Sequence, residues 1–201
     1  MAKFKIEKGG SFKVDKGIQH VRLGLGWKEG KLSKPVDVDA HAFGCVSLNG
    51  TPTFFNDASH ALTYANKSAL KKGAGKAFGT HDDSMQHTGD NLTGAGDGDD
   101  ETILIFLDKL PPEINEIMIF LTIHEAAERG QHFGQVEDSY VVMYNDDSKE
   151  ELVRYNLRNE FDGAITIQIG SLTKKGEDWT FNAVGAGTPT ESLEDVLGKL
   201  S

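Results

Sequence analysis

The segment Thr88-Gly89-Asp90-Asn91-Leu92-Thr93-Gly94-Ala95-Gly96-Asp97-Gly98-Asp99-Asp100-Glu101 concentrates five carboxylates and four glycines in one turn-forming stretch. No Lys or Arg occurs from Ala77 to Asp108 to compensate them. Carboxylates this close repel one another, and a folded chain tolerates them best when a divalent cation supplies the missing positive charge. Glycines allow the positive-φ turns that aim carbonyl oxygens and short Asp side chains at one point. A solvated Asp/Gly loop has the same composition, and the residues alone leave both readings open. If a metal is held, the all-oxygen donor set disfavours zinc and copper. A flexible cradle also suits the roughly six to eight ligands of calcium better than the strict octahedron of magnesium. The segment is not an EF-hand loop, because its glycines interleave the acids and a strand pattern follows it.

A second acidic pair, Asp37 and Asp39, lies in Val36-Asp37-Val38-Asp39. Residues two apart on a strand share a face, so both carboxylates project together. With Val36 and Val38 toward the core, this pair can meet the glycine-rich segment in space; a plain polar solvent face is the alternative. The seven histidines, His20, His41, His60, His81, His87, His124 and His132, do not fall into a zinc spacing. His124 ends an apolar strand beside Glu125, where a hydrogen-bonded structural histidine is the simpler reading.

The elements that must position these residues read mostly as strands. Alternating or continuously apolar runs rich in β-branched residues occur at Gln19–Trp27, Val36–Leu48, Glu101–Leu107, Glu116–His124, Ser139–Tyr144, Glu151–Leu157, Ala164–Leu172 and Trp179–Val184. Turn signals at Leu110-Pro111-Pro112-Glu113, Asn145-Asp146-Asp147-Ser148 and Lys174-Lys175-Gly176-Glu177-Asp178 separate them. Many short strands without intervening helical patterns imply an all-β fold, a β-sandwich of antiparallel strands. Ala58–Lys72 fits either a short helix or an extended edge segment, and Lys71-Lys72-Gly73-Ala74-Gly75-Lys76 reads as a solvated basic loop. Thr188-Pro189-Thr190-Glu191 predicts an N-cap, followed by a short C-terminal helix with Leu193, Val196, Leu197 and Leu200 as its apolar stripe. The expected organisation is a sandwich over residues 1–187 with an amphipathic helix over 188–201 packed on it.

At 201 residues the chain is long enough to bury a real core, and its net charge of −10 argues against nucleic acid or an anionic membrane as the main partner. No apolar run approaches a membrane span, and no signal core follows Met1-Ala2-Lys3-Phe4-Lys5, so the expected location is the cytoplasm. A single cysteine, Cys45, excludes an internal disulfide and a CxxC redox pair, and its apolar setting marks it as a core residue.

The segment His87–Glu101 resembles the signature of the TerD family of tellurium-resistance and stress-response proteins. So do Gly24-Leu25-Gly26-Trp27, Val36-Asp37-Val38-Asp39-Ala40, Thr122-Ile123-His124-Glu125-Ala126, Phe133-Gly134-Gln135-Val136, Glu151-Leu152-Val153-Arg154-Tyr155 and Trp179-Thr180-Phe181-Asn182-Ala183-Val184-Gly185, in the family's order from about Gly9 to Gly187. The resemblance implies a calcium-binding β-sandwich whose acidic motif maps onto Asp90, Asn91, Asp99, Asp100 and Glu101. Asp37 and Asp39 would be companions from the earlier strand, Asp97 a usual acidic position, and His124 and Glu125 would stand behind the ligands. The family usually has Asp where this chain has Glu125, and the connection from Tyr64 to His87 is longer than usual.

The expected function is a non-catalytic, calcium-dependent stress-response module associated with tellurium resistance, which engages protein partners. Seven or so oxygen-bearing residues from two segments suggest two neighbouring calcium ions. A metal-dependent hydrolase, phosphoesterase-like, could use the same carboxylates but would need basic groups to hold its anion, and the segment offers none. Direct tellurite chemistry would need thiols or a redox cofactor, and the chain carries one cysteine and no nucleotide fingerprint.

Overall fold

The computed structural model describes residues 4–29, 36–56, 59–63, 70–72, 77–88, 98–157, 161–188 and 192–198. In chain order the strands are β1 (Phe4–Ile6), β2 (Ser11–Lys13), β3 (His20–Glu29), β4 (Val38–Leu48), β5 (Thr51–Phe54), β6 (Ala61–Leu62), β7 (Leu70–Lys72), β8 (Ala77–Gly79), β9 (Met85–His87), β10 (Glu101–Phe106), β11 (Glu116–Ile123), β12 (Val136–Asn145), β13 (Glu151–Asn156), β14 (Thr166–Lys175) and β15 (Asp178–Thr188). Among the described residues, the short helices α1 (Ala126–Arg129) and α2 (Leu193–Gly198) and a 3-10 turn at Phe133–Gln135 accompany them.

The strands form two sheets in a sandwich-like arrangement. The first runs β1-β13-β12-β3-β10-β9-β8-β7; the second runs β2-β15-β14-β11-β4-β5, with β6 also pairing β4. Among the described residues every pairing is antiparallel except β1 with β13. Alternation explains the inner faces: in β10, Glu101, Ile103 and Ile105 are buried and Thr102, Leu104 and Phe106 are half-exposed. Val21, Leu23 and Leu25 of β3 join them against Ile117, Ile119 and Leu121 of β11 and Ile167 and Ile169 of β14 in one core.

The run in β11 is buried almost throughout because the outer face of the second sheet is covered as well. There Phe43, Cys45, Met118 and Phe120 pack with Ala61 and with Leu193 of α2. Of the expected C-terminal helix the described residues hold the six residues of α2. Its start is displaced from the predicted cap: Thr188 is the last residue of β15, paired with Thr166. The cap is Ser192, whose Oγ accepts from the Asp195 N–H at 3.2 Å while the Asp195 carboxylate accepts from the Ser192 N–H at 3.1 Å. The side chains of Val196 and Leu197, like Leu200, lie outside what the structure describes.

Where described, the stretch 58–72 is extended rather than helical, as β6 and the start of the β7–β8 pair. The long connection before His87 thereby adds β7, β8 and β9 to the first sheet. Asp82 ties its turn: the carboxylate meets His60 Nε2 at 2.8 Å and accepts from the hydroxyls of Thr80 at 2.8 Å and Ser84 at 2.7 Å. Burial alone would push the Asp82 carboxyl up, but the bonds from His60, Ser84 and Thr80 prevail and hold it well below the usual range. Among the described residues no helix is long and apolar enough to cross a membrane.

Candidate metal centre

The two acidic segments meet at one end of the sandwich, where β3, β9 and β11 finish and β4 and β10 begin. Val36 and Val38 are buried in the core, which leaves Asp37 and Asp39 half-buried on the other side of the chain. The Asp37 carbonyl accepts from the His124 N–H at 2.9 Å, fixing the entry to β4 against the exit from β11. Glu101 completes the junction. Its side chain is only 2% exposed, and its Oε2 accepts from the Ala40 N–H at 2.8 Å and lies 3.0 Å from His87 Nε2. One carboxylate therefore joins β10 of the first sheet to β4 of the second and closes a backbone donor that the ladder leaves open.

His87 stacks on Phe78 with ring centroids 4.7 Å apart, which holds its nitrogen on Glu101. His41, one residue beyond Ala40, is fully buried and meets Thr122 Oγ1 at 2.9 Å. Burial, and secondarily the nearby His87, pushes the His41 imidazole down to about 3, so it is neutral at physiological pH.

Asp100 and Asp99 turn to other anchors. Asp100 Oδ2 accepts from the Trp27 N–H at 2.9 Å, and the Asp100 N–H donates to the Leu25 carbonyl at 2.6 Å. Asp99 lies over Gly24 on the outer face of the first sheet. Its Oδ2 accepts from Arg22 Nη1 at 2.9 Å, and its Oδ1 accepts from the hydroxyls of Tyr140 at 3.2 Å and Tyr144 at 3.3 Å. Burial, reinforced by the Asp99 charge, raises both phenols, Tyr144 to about 12, so both remain donors. Gly24 and Gly26 explain the Gly24-Leu25-Gly26-Trp27 motif: a Cβ on Gly24 would strike the Asp99 carboxylate, and one on Gly26 would strike the Tyr140 ring.

His124 and Glu125 sit beside this junction. Glu125 has a left-handed backbone at φ 53°, and its carboxylate accepts from Arg129 Nη2 at 2.7 Å; that bond, with the Arg129 charge, holds it below its ordinary pKa. His124 Nε2 lies 3.4 Å from Glu125 Oε1. Asp90, Asn91 and Asp97 lie outside the described residues. Among the described residues no three carboxylate, imidazole or thiol side chains converge as a metal group.

Sequence reasoning missed Arg22, Tyr140 and Tyr144. The absence of basic residues from Ala77 to Asp108 holds along the chain and fails in space, because β3 carries Arg22 onto Asp99 from 77 positions away. The signal that could have found it is the pair of glycines two apart in β3, which marks a close approach onto one strand face.

The TerD domain matches residues 1–199. The chain belongs to the TerD domain family. This TerD domain protein is 33% identical over 200 residues to the stress response protein SCP2 of Bacillus subtilis (strain 168), covering 96% of this chain and 97% of that one. It is 36% identical over 186 residues to the tellurium resistance protein TerD of Serratia marcescens, covering 90% and 89% of the two chains. Its fold matches the crystal structure of a homologue of telluride resistance protein from Streptomyces coelicolor A3(2), with a TM-score of 0.62 over 89% of this chain and 95% of that one at 20% identity.

Proposed function

We propose that this TerD domain protein is a non-catalytic, calcium-binding module of the stress response linked to tellurium resistance, acting in the cytoplasm through metal-dependent binding of protein partners. The observation that carries the reading is the hydrogen bond from the Ala40 N–H to Glu101, which brings the Asp37–Asp39 segment against the Asp100–Glu101 end of the glycine-rich segment. Every candidate ligand among Asp37, Asp39, Asp90, Asn91, Asp97, Asp99, Asp100 and Glu101 offers oxygen, the donor chemistry of a hard cation. The histidines at the junction are committed to structure, His41 to Thr122 and His87 to Glu101 and Phe78. The hydroxyl beside His41, that of Thr122, is buried together with it.

Calcium titration of the full chain by calorimetry tests the proposal. The expected result is uptake of two neighbouring ions with sub-micromolar affinity, the range needed for occupancy where free calcium is scarce. Asp37→Asn combined with Asp39→Asn is expected to lower the stoichiometry. A stoichiometry of zero, or binding only in the millimolar range, ends the reading. Turnover of a phosphomonoester in the presence of calcium would instead favour the hydrolase.

A further inference from the structure

We propose that Asp99, an acid in the middle of the motif, is a positioning residue and not a calcium ligand. Together with Arg22, Tyr140 and Tyr144 it forms a clamp that fixes where the glycine-rich segment rejoins β10. This inference rests on the calcium reading given above and deepens it.

The three consecutive acids at the start of β10 diverge. Glu101 goes between the sheets to the Ala40 N–H, Asp100 to the backbone of Trp27, and Asp99 to the outer face of the first sheet. The Asp99 carboxylate is 8% exposed, and both of its oxygens carry donors. Oδ2 has the Arg22 guanidinium at 2.9 Å; Oδ1 has the Tyr144 hydroxyl at 3.3 Å and shares the Tyr140 hydroxyl, at 3.2 Å, with the Gly98 carbonyl at 3.1 Å. A carboxylate already neutralised by a guanidinium in a half-buried site gains little from a cation, and stripping the arginine from it would leave a charge without its partner.

The donors are themselves held. The Arg22 guanidinium lies 3.8 Å from the centre of the Tyr144 ring and also faces Asp146 at 3.5 Å. Arg154 lies 4.1 Å from the centre of the Tyr140 ring and is pinned by Glu151 at 2.9 Å. Gly24 leaves room for the carboxylate, and Gly26 leaves room for the Tyr140 ring. The clamp thus joins β3, β12 and β13 to Gly98 and Asp99. Asp100 and Glu101 are then presented from a fixed point.

Terbium(III), as a luminescent stand-in for calcium, distinguishes a ligand from a positioner, because decay rates in light and heavy water count the waters on the bound ion. A lost ligand is replaced by water, whereas a loosened positioner leaves the ion's shell intact. The full chain is compared with Asp99→Asn, with the double variant Tyr140→Phe/Tyr144→Phe, which removes only the two hydroxyls, and with Asp100→Asn. Asp99→Asn and the tyrosine double variant are expected to keep the wild-type ion stoichiometry and bound-water count. Both are expected to bind about tenfold more weakly, as for loss of a group that supports a ligand from behind. Asp100→Asn is expected to gain bound water. An added water or a lost ion in Asp99→Asn, with wild-type behaviour in the tyrosine double variant, overturns the positioning role and leaves the calcium reading standing. A wild-type chain that takes up neither terbium nor calcium overturns both.

Discussion

At the scale of single residues, the most constrained positions are those where a side chain is missing. Gly24 and Gly26 stand two apart on the outer face of β3, and other residues rest directly on the strand backbone there. The pattern is legible in sequence as a close approach, but its partners are not, since Asp99 and Tyr140 come from distant segments and no local spacing connects them to β3. Gly26→Ala places a methyl inside the Tyr140 ring, and because that ring is also packed under Arg154 it cannot simply swing aside. Overpacking of this kind costs about 1–3 kcal/mol. Urea unfolding should show a loss in that range with the slope unchanged. An unaltered midpoint would mean that Tyr140 does not lie on β3.

At the scale of elements, the long strands were legible and the short ones were not, for a physical reason. β3, β4, β10, β11, β12, β13, β14 and β15 are long enough for a period of two to repeat, or for an apolar run to stand out. β1, β2 and β5 to β9 have two to four residues each and carry no period to read. The cap of α2 was misplaced because Thr188 and Ser192 each begin a hydroxyl residue followed three later by an acid; the ladder with Thr166 claims Thr188 for β15. The approach of the Asp37–Asp39 segment to Glu101 was legible from charge and spacing, whereas the function of His41 as a buried tie between β4 and β11 had no sequence signature.

That tie has a pH consequence. The folded chain keeps His41 neutral down to about 3, while the unfolded chain protonates it at its ordinary value of 6.5. Between these values the unfolded state binds the extra proton, so stability falls as pH falls through 6.5 toward 3. The loss amounts to about 2 kcal/mol at pH 5 relative to pH 7. Urea unfolding at the two pH values, with a calcium chelator present so that ligand protonation does not enter, should show His41→Gln losing less on acidification than the wild type by about that amount. Equal losses would assign the acid sensitivity to other groups.

At the scale of the whole molecule, two sources of stability are separable. The inter-sheet core and the smaller cluster around Phe43, Phe120 and Leu193 are held by apolar burial. Against them stands a formal charge of −10, with five carboxylates between Asp90 and Glu101 in the sequence, of which Asp99, Asp100 and Glu101 lie at one end of the sandwich. Arg22 answers one of these through Asp99; the calcium proposal assigns most of the remainder to the metal. Removing calcium should therefore lower the unfolding free energy without abolishing the fold. By mass action the difference should be about 3–4 kcal/mol when free calcium is a few hundred times the dissociation constant. Scanning calorimetry in calcium and in excess chelator should show one cooperative transition in each, displaced downward by chelation, and magnesium at equal ionic strength should not restore it, because its small, strictly octahedral shell does not match a flexible oxygen cradle. A melting temperature indifferent to chelation would show that the acidic end is a solvated turn whose repulsion the fold already tolerates, and complete unfolding on chelation would show that the apolar core is not self-sufficient.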